Sequence, residues 1–576
     1  MSSKLGNVLR RSPLIATVVA RMVSEDPLLF GVQTLRKLPW PLRRSVAQLL
    51  PSTSSRRDLT ALRYFILDQR SEAARLLLSD NRSKQKTSIS TRLGQELLIQ
   101  LGYTPEDILD SRTALRSAWG AGDLEKLKSL EAPGRVGQRY TGEQMILRPG
   151  WGISLPKTPV APRQTNNNDA RPTRALHILT NSLPWTRSGY TYRTQNILRF
   201  LQKAGVEVLG VTRLGYPTTI GGLWANEVDV VDGVTYQRLL PSMWPQDPAA
   251  RLVKQAQMLL PIVQQFQPDI LHTTTNYQNA LVTDAVSRAT GIPWIYEMRG
   301  NMEQTWVARQ PSELQVQAKE SDRYRLMKLR ETEMAMRANA VITLSNIQRH
   351  DLIERGVPAE KIFIVPNSVD EALLEVPRDV KAARKRLGLD PHGFWVGSVT
   401  SVVDYEGLPT LIRATKIARD QGLDVRCAIV GDGVALPELR VLVTELELDD
   451  YVVLPGRVPP DDAKRWYQAL DLFVIPRNDT EVTRIVTPIK GLEAQALGVP
   501  VAVSDLPALR EVSAREDLVF PAGDSQCLVK LIGTVQSNDS APPTTVSTEQ
   551  SFASARSWSS SVKKICETYA EVTRFE

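Results

Sequence analysis

Residues 483–505, TRIVTPIKGLEAQALGVPVAVSD, read as a short helix, a tight turn and a buried strand. Thr487 is a good N-cap, and Pro488 stands where a first-turn proline is tolerated. Gly498 is placed to end the helix, and Pro500 would stop it continuing. Val499 to Val503 then reads as a short buried strand. Lys490 falls in the first turn and Glu493 three residues later, so both share one face. A helix N-terminus offers free N–H groups and partial positive charge, which suits a phosphate, and Lys490 adds a full charge. Glu493 can accept from two hydroxyl donors, as a ribose supplies. A surface Lys–Glu pair on a packed helix accounts for the same residues, so this stretch alone leaves both readings open.

Outward from it, the chain repeats the same unit. From Arg174 onward ALHILT (175–180), DILHT (269–273), PWIYEMRG (293–300), AVITLS (340–345) and KIFIVPNSVD (361–370) read as strands separated by helices. A second series runs through FWVGSVTS (394–401), VRCAIVGDG (425–433), YVVLPG (451–456) and LDLFVIPR (470–477) to the opening stretch. Buried β-branched runs alternating with helices predict parallel sheets covered on both faces. Two series predict two Rossmann-like domains, over 174–380 and 381–535, with a cleft between them and a hinge near 370–390. In such sheets ligands bind beyond the carboxyl ends of the strands.

Residues 1–135 read as all-helical, with LRYFILDQRSEAARLLLSDN (62–81) and TALRSAWGAGDLEKLKSLEA (113–132) at helical apolar spacing. Residues 136–173, prolines and RQTNNNDARPTR included, have linker composition, as do 536–556. A final helix near 557–574 carries Trp558, Val562, Ile565 and Tyr569 at helical spacing, and its expected seat is the N-terminal sheet domain.

Length and composition bound the function. The 576 residues exceed one ordinary core, and the apolar fraction of 42% is globular. Three dispersed cysteines and four histidines without ligand spacing argue against a disulfide framework or a bound metal, and fit a reducing compartment. The net charge of +8 is concentrated: residues 1–57 hold ten Lys or Arg and two acids, so the remainder is neutral overall. Mixed with Leu, Val and Trp40, that basic start suggests attraction to an anionic membrane surface; a solvated face of a helical domain is the other reading. No nucleic-acid-binding motif accompanies the charge. No apolar run reaches bilayer length, and PLIATVVA lacks a cleavage site, so the expected location is cytoplasmic, peripheral at the inner membrane face.

At this point the motifs together resemble a known family. GDG (431–433), GRVPPDDAKRWYQALDLFVIPR (456–477) and VTPIKGLEAQALGVPVAVSDLPALREV are similar to the retaining family-4 glycosyltransferases of GT-B fold. VTPIKGLEA and IYEMRGNME (295–303) resemble a branch from bacterial polysaccharide and exopolysaccharide clusters. The resemblance spans about 174–574 and omits the helical third. It implies a hexosyltransferase that needs no metal or other cofactor, with a nucleotide-sugar as co-substrate and a glycan or lipid-linked acceptor. Glu493 matches the second glutamate of the family's E-x7-E motif, expected to bind the donor ribose, and the backbone near Arg457 and Val458 is expected to meet the base.

The departures are informative. The first glutamate position is Ile485, the usual Lys-Gly is Glu406-Gly407, and the position of a frequent histidine is Thr274. A diphosphate leaving group still needs positive charge. Arg477 ends a strand, and guanidinium holds phosphate bidentately, so Arg477 and Lys490 are the first candidates and Arg484 the second. Asp479 or Glu481 would be the structural partners of Arg477. Thr487, Pro488 and the Gly189 loop are assigned to the diphosphate, since glycine lets backbone approach closely. His272, Asn276, Glu297 and Arg299 are assigned to sugar or acceptor, with Glu303 beside them. Domain closure would exclude water. Two rival readings remain: a non-catalytic scaffold of the same fold, which the three changed positions favour, and a nucleotide-sugar epimerase, for which no acid–base set is found.

Overall fold

The computed structural model describes residues 2–53, 56–78, 91–131, 134–160, 172–538 and 547–574. The end of the 62–81 stretch, most of RQTNNNDARPTR and the centre of the 536–556 linker lie outside the described residues. The chain forms two compact units, one of Met1–Thr343, Arg349–Ile364 and Val562–Glu576, the other of Leu344–Gln348 and Val365–Ser561.

The first unit is built on a sheet of β1 (Arg174–Leu179), β2 (Glu207–Thr212), β3 (Val228–Val231), β4 (Val234–Arg238), β5 (Ile270–Thr274), β6 (Trp294–Glu297), β7 (Ala340–Thr343) and β8 (Ile362–Ile364). Their order is β3-β4-β2-β1-β5-β6-β7-β8. All neighbours are parallel except the β3–β4 hairpin, which Asp232 and Gly233 turn with positive φ of 47° and 80°. The central strands β5, β6 and β7 are buried throughout, which is why they read as unbroken apolar runs rather than alternating ones. Sequence order reverses between β1 and β5, so the loops leaving those strands open a crevice at their carboxyl ends.

The helical region packs within this same unit. Arg21 donates to the Pro245 carbonyl (2.8 Å), and Thr17 Oγ1 accepts from Trp244 N (3.1 Å). Arg323 stacks over Trp119 and Trp306 at 4.3 and 5.0 Å from the ring centroids. The turn expected inside 113–132 is present: Ser111–Ala121 ends at left-handed Gly122 and Leu124–Ser129 follows. The linker expected from 136 begins later, because Gly134–Leu147 is a helix that buries Val136, Tyr140, Ile146 and Leu147. Its glycines and flanking prolines masked an i, i+4 apolar stripe.

The second unit carries β9 (Phe394–Val399), β10 (Val425–Val430), β11 (Val452–Gly456), β12 (Leu472–Ile475), β13 (Val501–Ser504) and β14 (Val519–Phe520). They are parallel throughout, in the order β11-β10-β9-β12-β13-β14, so β9 and β12 flank the reversal. The main segment of this unit starts at Val365, before the boundary at 381 expected from the strand series. Part of the second polar linker is ordered as the helix Thr548–Ser554, whose Ser547 and Gln550 form a capping box. The last helix, Trp558–Arg574, buries Trp558, Val562, Ile565 and Tyr569.

Candidate functional site

In the second unit the two loops at the strand reversal are tied together. Gly407, in the loop after β9, has φ of +65°, and a Cβ there would lie 1.9 Å from the Pro476 carbonyl oxygen. Only glycine permits that approach. Asn478 N donates to the Tyr405 carbonyl (3.0 Å), and Asn478 Nδ2 to that of Asp404 (2.8 Å). Across this seam Arg477 Nε and Nη2 reach Glu406 Oε1 at 3.2 and 2.8 Å, and Arg477 Nη1 donates to the Val486 carbonyl (2.8 Å). Both side chains are buried. Glu406 is thus a structural partner of Arg477, while Asp479 pairs with Arg484. Glu406, which replaces the cation expected at its position, fixes the orientation of a different cation.

Lys490 and Glu493 do face each other, 3.1 Å apart and partly exposed. Sequence reasoning missed a third member: Tyr467, buried on the helix Pro460–Ala469, donates its hydroxyl to Glu493 Oε2 (2.8 Å). Burial, then the Glu493 carboxylate, push that phenol well above its ordinary range, so it stays a donor. Only the quoted motif RWYQAL placed Tyr467 near the right strand.

The opening helix differs from expectation. It runs Lys490–Ala496 after an uncapped Ile489. Thr487 and Pro488 precede it outside any helix, and Thr487 is no N-cap: its carbonyl and hydroxyl accept from Asn367 Nδ2 at 3.0 and 3.3 Å. The competing partner was 120 residues away. Ile485 closes the separate helix Glu481–Ile485, capped by Thr480 and Thr483. Arg484 pairs with Asp479 at 2.5 and 2.6 Å on the surface. Arg457 is exposed and Val458 half-buried just beyond β11.

In the first unit the expected acceptor residues form a buried cluster instead. His177 on β1 and His272 on β5 are in register, stacked with centroids 4.4 Å apart. Tyr569 of the last helix bridges them, its hydroxyl 2.7 Å from His272 Nδ1 and 3.1 Å from His177 Nε2. His272 Nε2 lies 3.4 Å from Glu297 Oε2. Glu297 accepts from Arg193 Nε on Oε1 (2.7 Å) and from Arg299 Nη2 on Oε2 (2.6 Å). Burial alone would raise the Glu297 carboxyl, but Arg299 and Arg193 hold it well below the carboxylate range. Burial lowers both imidazoles, so they are neutral at pH 7. One consistent proton assignment runs from His177 Nε2–H to Tyr569, from Tyr569 O–H to His272 Nδ1, and from His272 Nε2–H towards Glu297.

This corrects three assignments. Glu297 is 0% and Arg299 3% exposed, each engaged internally, and His272 is a core residue. Arg299 also donates from Nη1 to the Tyr190 carbonyl (2.8 Å) and Thr194 (2.7 Å). Glu303 is buried against Arg355 at 2.7 Å. Asn276 caps the helix Tyr277–Thr290 through Gln278 N (3.1 Å). Gly189 opens the helix Gly189–Lys203 behind a Ser188–Thr191 capping box, with no atom within 4 Å of where a Cβ would stand. Gly189 therefore has open space above its backbone.

Tyr569→Phe removes the hydroxyl between the two imidazoles. The expected cost is about 1–3 kcal/mol, because two buried ring nitrogens lose their partner. Urea unfolding at pH 7 measures it. An unchanged midpoint would mean that the rings are satisfied without the tyrosine.

Comparisons with known proteins agree with this architecture. Residues 188–368 match the family described as glycosyl transferase 4-like domain, and residues 390–538 match glycosyl transferases group 1. WcaL of Escherichia coli K12, named for colanic acid biosynthesis, is 28% identical over 213 residues, covering 36% of this chain and 50% of its own. The amylovoran biosynthesis glycosyltransferase AmsK of Erwinia amylovora is 28% identical over 199 residues, 33% of this chain and 46% of its own. The chain thus spans about half the length of these curated relatives. The structure of Anabaena HepE with UDP and glucose superposes with a TM-score of 0.54 at 18% identity, covering 69% of this chain and all of that one. That likeness shows the shared fold.

Proposed function

The chain belongs to the glycosyltransferases of GT-B fold, and from that premise we propose that it transfers a hexosyl group from a nucleoside-diphosphate sugar to a glycan or lipid-linked acceptor. The product serves polysaccharide or glycolipid synthesis. Anomeric configuration is retained and no metal takes part. The observation that carries this reading is the Glu406–Arg477 pair at the strand reversal of the second unit, with Lys490 and Glu493 following on the helix Lys490–Ala496.

Each side chain has one task. Arg477, oriented by Glu406, and Lys490 balance the negative charge that grows on the departing diphosphate. Glu493, oriented by Tyr467, accepts from the ribose hydroxyls. The sugar left behind has oxocarbenium character, and the acceptor hydroxyl attacks from the face the diphosphate leaves. The diphosphate takes the acceptor's proton, since the carboxylates of the set are committed elsewhere, Glu406 to Arg477 and Glu493 to the ribose.

Glu493→Ala is expected to weaken nucleoside-diphosphate binding about 10- to 100-fold, the worth of one or two hydrogen bonds to a charged acceptor. Titration of UDP, GDP, ADP and dTDP by thermal shift reads this, and release of nucleoside diphosphate from the matching sugar reads turnover. Tyr467→Phe should give a smaller loss. If Glu493→Ala binds every nucleotide as wild type does, the ribose assignment is wrong.

One observation favours a second reading, a non-catalytic binding subunit. Glu406 neutralises Arg477, and Ile485 cannot hydrogen bond to a sugar hydroxyl. Nucleotide binding without any release from the sugar would select it.

A further inference from the structure

Two tryptophans stand where the first-unit sheet opens. Trp185 lies in the segment between β1 and the helix Gly189–Lys203, so it belongs to one wall of the crevice at the strand reversal. Trp224 precedes β3, and Val228 pairs with Gln237 near the end of β4, so β3 begins at the carboxyl edge of its parallel neighbours. The two rings meet at this edge, centroids 6.0 Å apart and tilted by 53°. Trp185 is half-buried, and Trp224 is 47% exposed. Fully buried tryptophans serve the core; a corner of two rings left open beside a ligand crevice is available to bind.

The corner is held in place by buried groups. Trp185 Nε1 donates to Asp229 Oδ2 (3.0 Å), which also accepts from Arg238 Nε and Nη2 (3.1 and 2.8 Å). Arg238 is buried, and it donates to Ser182 Oγ (2.6 Å) and the Leu183 carbonyl (3.1 Å) in the same loop as Trp185. A Cβ on Gly222 would lie 2.9 Å from Trp185 Cε3, so this glycine lets the next loop close on the ring. The rim is polar. Asn7, on the helix Ser2–Glu25, donates from Nδ2 to Asn226 Oδ1 (2.8 Å) and, at 3.4 Å, to the Trp224 carbonyl. Arg11 of the same helix meets Glu227 (3.1 Å). The charges that touch the rings and this rim are thus paired, and the two amides lie at the surface. That chemistry suits a neutral ligand with an apolar face and hydroxyls at its edge, which describes a pyranose ring.

We propose that Trp185 and Trp224 form the stacking platform for a neutral hexopyranose ring of the acceptor glycan, and that Asn7 and Asn226 take its hydroxyls. This rests on the transferase reading above and narrows its acceptor to a glycan bearing such a ring. The task of these residues is to select and hold the acceptor, not to react with it. Asn7 brings the helical region, which lies outside both matched family segments, into acceptor recognition.

Saturation-transfer NMR of the full chain with lactose, cellobiose and maltose at millimolar concentration tests it. Wild type is expected to pass saturation to the ring C–H protons of at least one disaccharide. Trp224→Ala should lower that transfer about 5- to 10-fold, the worth of one aromatic stack. Trp224→Phe keeps a ring and should retain most of it, and Asn7→Ala/Asn226→Ala should weaken it. No transfer from wild type to any of the three, or transfer equal in Trp224→Ala, overturns the proposal. An equal loss in Trp224→Phe also overturns it, because a stack would survive that change. Nucleotide thermal shifts keep the two readings apart. Disaccharide binding that Trp224→Ala loses, in a protein that no nucleotide stabilises, leaves the platform and removes the transferase; a nucleotide shift without disaccharide binding does the reverse.

Discussion

Arg477→Ala is expected to lower kcat/KM for sugar transfer by about 100- to 1,000-fold, the loss seen when one preorganised group facing developing charge is removed. The argument starts from where Arg477 stands. It is the second residue after β12, at the strand reversal, and Glu406 together with the Val486 carbonyl leaves its guanidinium one orientation. The same substitution strands the buried Glu406 carboxylate, which costs about 3–5 kcal/mol of stability. The two effects are separable. Glu406→Leu/Arg477→Met replaces the pair with apolar groups of similar volume and should recover most of the stability, because buried ion pairs repay little over good packing. It should not recover nucleotide binding. If the double variant binds and turns over as wild type, the pair is structural only. If Arg477→Ala retains its nucleotide thermal shift, Arg477 does not meet the diphosphate.

Glu297→Ala is expected to destabilise the first unit by about 3–5 kcal/mol, because it leaves Arg193 and Arg299 buried without their shared carboxylate. Total stabilities are of order 5–15 kcal/mol, so the variant approaches unfolding at ordinary temperature. A thermal melt should show a drop of about 10 °C or more, or an insoluble product. Glu297→Gln keeps the shape and one acceptor but not the charge, and should lose less. This separates the buried-cluster role from the acceptor-binding role that the sequence suggests. A Glu297→Gln protein melting with wild type, yet with a raised KM for acceptor, would mean the carboxylate reaches substrate after all.

These two positions also show how far local reading goes. Strand runs such as LDLFVIPR and FWVGSVTS were legible because burial on both faces leaves an unbroken apolar stretch. Arg477 and Glu493 were legible because a charge just past such a strand, or at the mouth of a buried helix, needs a reason. Partners distant in sequence were not legible. Glu406 is 71 residues from Arg477, and Asn367 is 120 from Thr487. Thr487 looked like an N-cap because capping is a local rule, and a distant amide took its oxygens instead. Glu297 and Arg299 read as sugar or acceptor ligands because charge just past a buried strand is usually accessible; Arg193, a helix away, compensates their burial. The helix Gly134–Leu147 was hidden by its glycines.

The last helix has a consequence for the order in which the molecule is made. Tyr569 lies 297 residues beyond His272 and 392 beyond His177, yet its hydroxyl meets a nitrogen of each stacked ring. During translation, β1 and β5 emerge hundreds of residues before the tyrosine that satisfies their histidines. Through that interval the nascent first unit carries an open polar seam, and the whole second unit is synthesised before the seam closes. Closure is therefore among the latest events of folding, as loop entropy dictates for contacts of such long range.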